Sequence, residues 1–123
     1  MSEIDSNTRP FNEDTLLDQI GIGNVLAISG GRVGVHRIEG ECWELDLPVS
    51  SGYSVRITLA GDDTYTVQRI LKRRKKGESS PSITIKGEMR GVYCDQVGEV
   101  AYYASCYKSY PDFNALDANR VGA

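Results

Sequence analysis

The chain has 123 residues, enough for one domain with a modest core and too few for two. Hydrophobic residues make up 40% and charged residues 25%, an ordinary globular balance. The formal net charge of -3 excludes a global attraction to nucleic acid or to an anionic membrane, so any polyanion binding requires a local basic patch.

Residues 1–10 are polar and irregular and are expected to be flexible. The opening Met1-Ser2-Glu3-Ile4-Asp5 has neither a basic nor an apolar stretch, so no secretory signal is expected. Asn12 is a good helix N-cap, with Glu13 and Asp14 in the first turn and Phe11 and Leu16 at staple spacing. Leu16, Leu17 and Ile20 form a short apolar stripe that Gly21 and Gly23 can end. Val25 to Ser29 reads as an apolar strand, with Gly30-Gly31 as a hairpin turn and Val33, Val35 and Arg37 on the return.

Trp43, Leu45 and Leu47 alternate with Glu44 and Asp46 up to Pro48. Tyr53, Val55, Ile57 and Leu59 alternate with Ser54, Arg56 and Thr58, the clearest strand in the chain. Ala60-Gly61-Asp62-Asp63 has turn chemistry, and Thr64 to Leu71 is a further strand whose alternation breaks at Ile70-Leu71. A loop runs from Lys72 to Pro81, and Ser82 to Glu88 alternates again. After Gly91, the positions Tyr93, Val97, Val100, Ala104 and Tyr107 mark one helical face. Gly98 within it costs about 1 kcal/mol against Ala, which a close helix–sheet contact would explain. Periodicity stops at Tyr110-Pro111.

The expected fold is α+β: an antiparallel sheet of five to six strands, with a short N-terminal helix and a longer C-terminal helix packed on one face. The expected organisation is a flexible segment 1–10, a domain 11–110 and a flexible tail 111–123. A second apolar sheet face would point to a homodimer.

Three segments carry a resemblance to small uncharacterised tailed-bacteriophage accessory proteins. They are Gly23 to Gly31, Leu47-Pro48 through Tyr53–Leu59 to Asp63–Val67, and Gly91-Val92-Tyr93-Cys94-Asp95-Gln96-Val97. The elements follow in the same order over roughly Asp14 to Tyr110. The resemblance implies a phage or prophage origin and a host-cell cytoplasmic setting. It implies no activity and no catalytic residues. The basic run at Lys72 to Lys76 is longer than the family's pattern.

That run, Lys72, Arg73, Arg74, Lys75 and Lys76, with Arg69 just before it, is one candidate site, since clustered cations on a hairpin contact phosphates. The plainer reading is a solvated loop that keeps a sheet end from aggregating. The tyrosines around the last helix are the other candidate, with Tyr102 and Tyr110 assigned to a protein interface. Asp62-Asp63 reads as a turn rather than an acid/base or metal pair. His36 is the only histidine, and Cys42, Cys94 and Cys106 lack metal-ligand or disulfide spacing, so no metal or cofactor is expected. No nucleophile or acid/base constellation is visible, and no apolar run spans a membrane. The leading expectation is a non-catalytic module that binds a host or phage protein. The alternative is a nucleic-acid binder using the basic run.

Overall fold

Helix formation begins where the sequence places a cap. In a computed structural model that describes residues 8–74, 76–77, 79–110 and 113, Asn12 Oδ1 accepts hydrogen bonds from the backbone N–H groups of Asp14 (2.9 Å) and Thr15 (3.1 Å). Helix α1 (Glu13–Ile20) follows, burying Leu16 and Ile20, and it stops at Gly21. Gly21 has φ +90°, and its N–H still bonds back to the Leu17 carbonyl.

The next segment differs from the expected strand. Ile22–Ser29 is a second helix, α2, and its buried residues Val25, Ile28 and Ser29 fall at helical spacing. Gly30 is not a hairpin residue. It is the left-handed C-cap, with φ +67° and its N–H bonded to the Leu26 carbonyl. A short apolar run has no periodicity to separate a buried strand from a helix, and here the packed layer decided. Asn24 Nδ2 donates to the Ile20 carbonyl (2.9 Å) across the α1–α2 junction.

The strands are β1 (Thr8–Arg9), β2 (Gly34–Ile38), β3 (Glu41–Pro48), β4 (Tyr53–Ala60), β5 (Tyr65–Arg73) and β6 (Ser82–Val92). They form one antiparallel sheet in the order β2-β3-β4-β5-β6, with β1 paired to the end of β4. The α+β class and the antiparallel meander agree with the sequence reading. Strand β2 turns back on β3 rather than on the 25–29 segment, through Glu39 and Gly40. Both have positive φ (+53° and +84°), as a two-residue hairpin whose turn matches strand twist requires. At the β4–β5 turn Asp62 Oδ1 accepts from Thr64 Oγ1 (2.6 Å) and from its N–H (3.2 Å). Those bonds hold the Asp62 carboxyl below its usual pKa, so Asp62-Asp63 is an ordinary turn.

Strand β6 runs on to Val92, and the last helix, α3 (Val97–Ser105), starts later than the expected Gly91. The three helices are of nearly equal length, at 8, 8 and 9 residues, so the C-terminal one is scarcely the longer. All three pack on one sheet face over Leu45, Leu47, Val55, Ile57, Val67 and Met89. The folded unit is wider than 11–110, because Thr8–Arg9 pair with β4 and Phe113 is fully buried in the core. The other calls on 1–10 and 111–123 concern residues largely outside the described ones. Among the described residues no helix is long and apolar enough to cross a membrane.

Gly98 is buried on α3, and the close contact there is with other helices, not with the sheet. A Cβ at that position would stand 2.4 Å from the Ile20 carbonyl oxygen and 2.8 Å from Asn24 Nδ2. Gly98→Ala is therefore expected to destabilise by roughly 1–3 kcal/mol despite its better helix propensity. Urea unfolding checks this.

Candidate functional site

The sheet face opposite the helices is polar, as the period-2 pattern requires. Strand pairing aligns Asp46, Arg56, Gln68 and Glu88 in one row across four strands. At its centre the Arg56 guanidinium, on a side chain 7% exposed, makes a two-point pair with Asp46: Nε to Oδ1 at 2.9 Å and Nη2 to Oδ2 at 3.1 Å. Glu44 Oε1 lies 3.9 Å from the same Nε and is equally buried. Burial works against the Arg56 charge, but the bonds to Asp46 and the field of both carboxylates outweigh it, raising its pKa. Further along the row, Gln68 Nε2 donates to Glu88 Oε1 (2.8 Å) and Arg90 Nε donates to Glu88 Oε2 (3.1 Å).

This face is concave. Lys72 Nζ on β5 reaches Asp46 Oδ2 on β3 at 3.4 Å, over the intervening β4. A cleft of about 320 Å³ is lined by Gly34, Val35 and His36 of β2, Glu44, Asp46, Arg56, and Ile83 of β6. Strands β2 and β6 are opposite edges of the sheet, so strong twist brings both to one groove. Beside it Ile70 and Ser54 are buried, while Ile83 and Ile85 are 38% and 56% exposed. Among the described residues that line the cleft there is no nucleophilic hydroxyl or thiol. Among the described residues no group of three or more His, Cys, Asp or Glu side chains is placed to hold a metal.

The described residues of the basic run do not lie on one patch. Arg69 is 3% exposed and points to the helix side. Its Nε donates to the Ala104 carbonyl (2.6 Å), and its Nη2 to the carbonyls of Tyr110 (2.7 Å) and Tyr103 (3.2 Å). Its guanidinium also lies 5.4 Å from the Phe113 ring centroid. Arg69 thus terminates α3 and fastens the segment after it, which corrects its placement among phosphate-binding residues. A cation at a helix C-terminus meets the orphan carbonyls there. Lys72 is partly buried and paired with Asp46. Arg73, Arg74 and Lys76 are exposed at the β5–β6 tip, and Lys75 lies outside the described residues.

The tyrosines divide by role. Tyr53 and Tyr107 stack with centroids 4.0 Å apart, and Tyr107 Oη shares a hydrogen bond with Ser50 Oγ (3.2 Å). Tyr103 donates to Glu99 Oε1 (3.1 Å) and meets the Tyr110 ring edge-on at 4.8 Å. Tyr102 and Tyr110 are 41% and 42% exposed, so both interface candidates stand at the surface. Sequence reasoning missed the groove. Its signal was the polar alternation of Glu44, Asp46, Arg56 and Gln68, but strand register, which aligns them, was not readable.

Comparisons with protein-family models, with curated proteins and with solved structures give no match.

Removing the Arg69 guanidinium leaves two carbonyls at the α3 terminus, and that of Tyr110 beyond it, without this donor. Arg69→Met is expected to destabilise by about 3 kcal/mol and to leave retention on a phosphate-bearing resin unchanged. Arg73→Gln with Arg74→Gln is expected to change stability by less than about 0.5 kcal/mol and to weaken that retention. Denaturant titration and salt elution separate the two effects.

Proposed function

We propose that this protein is a non-catalytic binding module that engages another protein through the concave sheet face. The observation that carries the reading is a groove left bare by all three helices, with a rigid Arg56–Asp46 pair on its floor and Ile83 and Ile85 partly exposed at its rim. A preorganised polar floor with an apolar rim gives orientation and buried area together. The cleft volume is at the low end for small-molecule sites, which suits one or two side chains of a partner. Catalysis has less support, because the floor charges pair with one another and the described lining residues include no nucleophilic hydroxyl or thiol. The resemblance to phage accessory proteins favours a host or phage protein as partner, met in the host cytoplasm. Tyr102 and Tyr110 would widen the contact only for a partner that also reaches α3.

The nucleic-acid reading keeps one supporting observation, the exposure of Arg73, Arg74 and Lys76 at one hairpin tip. The two readings separate in one experiment. Tagged protein is used to capture partners from bacterial lysate with and without nuclease, and the retained protein is purified and titrated. The expected result is a nuclease-resistant partner that still binds when Arg73, Arg74 and Lys76 are changed to Gln. Its affinity should fall at least about tenfold for His36→Trp, which fills the cleft from its β2 rim. Recovery that disappears with nuclease and with the triple change would overturn the protein-binding reading.

A further inference from the structure

Strand β6 is a sheet edge, and its first half, Ser82 to Lys86, is exposed throughout. The backbone groups this edge offers follow from strand alternation. The Lys72 N–H donates to the Gly52 carbonyl (2.9 Å), on the β4 side of β5. Peptide groups alternate sides along a strand, so Ile70 points the same way as Lys72. Their β6 partners Ile85 and Ile83 therefore sit in non-hydrogen-bonded pairs and turn their own N–H and C=O groups to the free edge. Thr84, opposite Leu71, points its groups inward to β5. Pro81, which has no N–H, and the register shift that leaves Lys86 unpaired bound this open stretch on either side.

The side chains on the stretch are symmetric about Thr84. Ile83 and Ile85 share the concave face at 38% and 56% exposure, and Thr84 lies on the other. We infer that this edge pairs antiparallel with the same segment of a second copy, on a two-fold axis through Thr84. In that register Ile83 faces the partner's Ile85 and Ile85 faces the partner's Ile83. Both are hydrogen-bonded pairs, which matches the outward direction of these residues' peptide groups and gives four backbone hydrogen bonds. The four isoleucines meet on one face, Thr84 meets the partner's Thr84 on the other, and Ser82 meets the partner's Lys86, so no like charges oppose. The sheet becomes a continuous ten-stranded one apart from the two short β1 strands. The two grooves then lie on one composite surface, and a bivalent partner gains from engaging both. This inference is independent of what the groove binds.

The test is sedimentation velocity from low micromolar to near-millimolar concentration, with amide hydrogen exchange on the same samples. The wild-type chain is expected to dimerise with concentration, and the Ile83 and Ile85 amides to gain protection as it does. Ile85→Pro removes an outward N–H and an exposed side chain but no bond to β5, which an edge strand tolerates, so the monomer should keep its fold. Its dimer dissociation constant should rise at least about tenfold. Ile83→Lys, which carries no backbone change, should act in the same direction. A wild-type monomer at every concentration would overturn the inference and leave the groove reading standing. So would a dimer that survives both substitutions with Ile83 and Ile85 still exchanging freely. Loss of partner binding in His36→Trp, with dimerisation intact, reports on the groove alone.

Discussion

The ion pair between Arg56 and Asp46 sets the character of the molecule. A buried guanidinium needs compensating charge and satisfied donors, and here Asp46 meets it in two-point geometry with Glu44 alongside. That pairing requires β3 and β4 to hold one register, with Asp46 opposite Arg56. The same register puts Leu45, Leu47, Val55 and Ile57 on the other face, where α1, α2 and α3 cover them. A one-residue slip of β4 against β3 would send Arg56 into the apolar core and Val55 and Ile57 into the groove. Replacing the pair with apolar residues would cost the fold little, so its contribution is specificity of register.

A second arginine does a parallel task on the opposite face. Arg69 closes the end of α3 and holds Tyr110 and Phe113 against the sheet. The two arginines lie on adjacent strands and face opposite layers, one fixing sheet register and the other helix placement. The tight Gly98 approach to Ile20 and Asn24 then locks α3 against the other two helices. The helix layer covers one side of the sheet, the concave face is left uncovered by the three helices, and the β6 edge lies at its rim.

Strands β3, β4 and β5 were legible because one face of each is buried and the other polar, which writes a period of two into the sequence. The Asn12 cap and the Asp62 turn were legible because their side chains act on nearby backbone. Val25 to Ser29 misled, since its apolar run fits either a strand or a helix, and Gly30 serves a helix end as well as a hairpin. Arg69 misled because it stands just before a run of cations of which Arg73, Arg74 and Lys76 are exposed, whereas strand alternation sends it to the other face. The groove was invisible because Glu44, Asp46, Arg56 and Gln68 become neighbours only through register and sheet curvature, which no local pattern records.

The most direct measurement is a double-mutant cycle on this pair, using urea unfolding of Arg56→Met, Asp46→Leu and the combination. The account predicts that Arg56→Met alone costs roughly 3–5 kcal/mol, because it takes the two-point partner from Asp46 and a nearby cation from Glu44. It also predicts a coupling energy of about 2–3 kcal/mol between the two positions, so that the double variant is more stable than the sum implies. Additivity within about 0.5 kcal/mol would contradict it and would mean that the register is held by the apolar face alone.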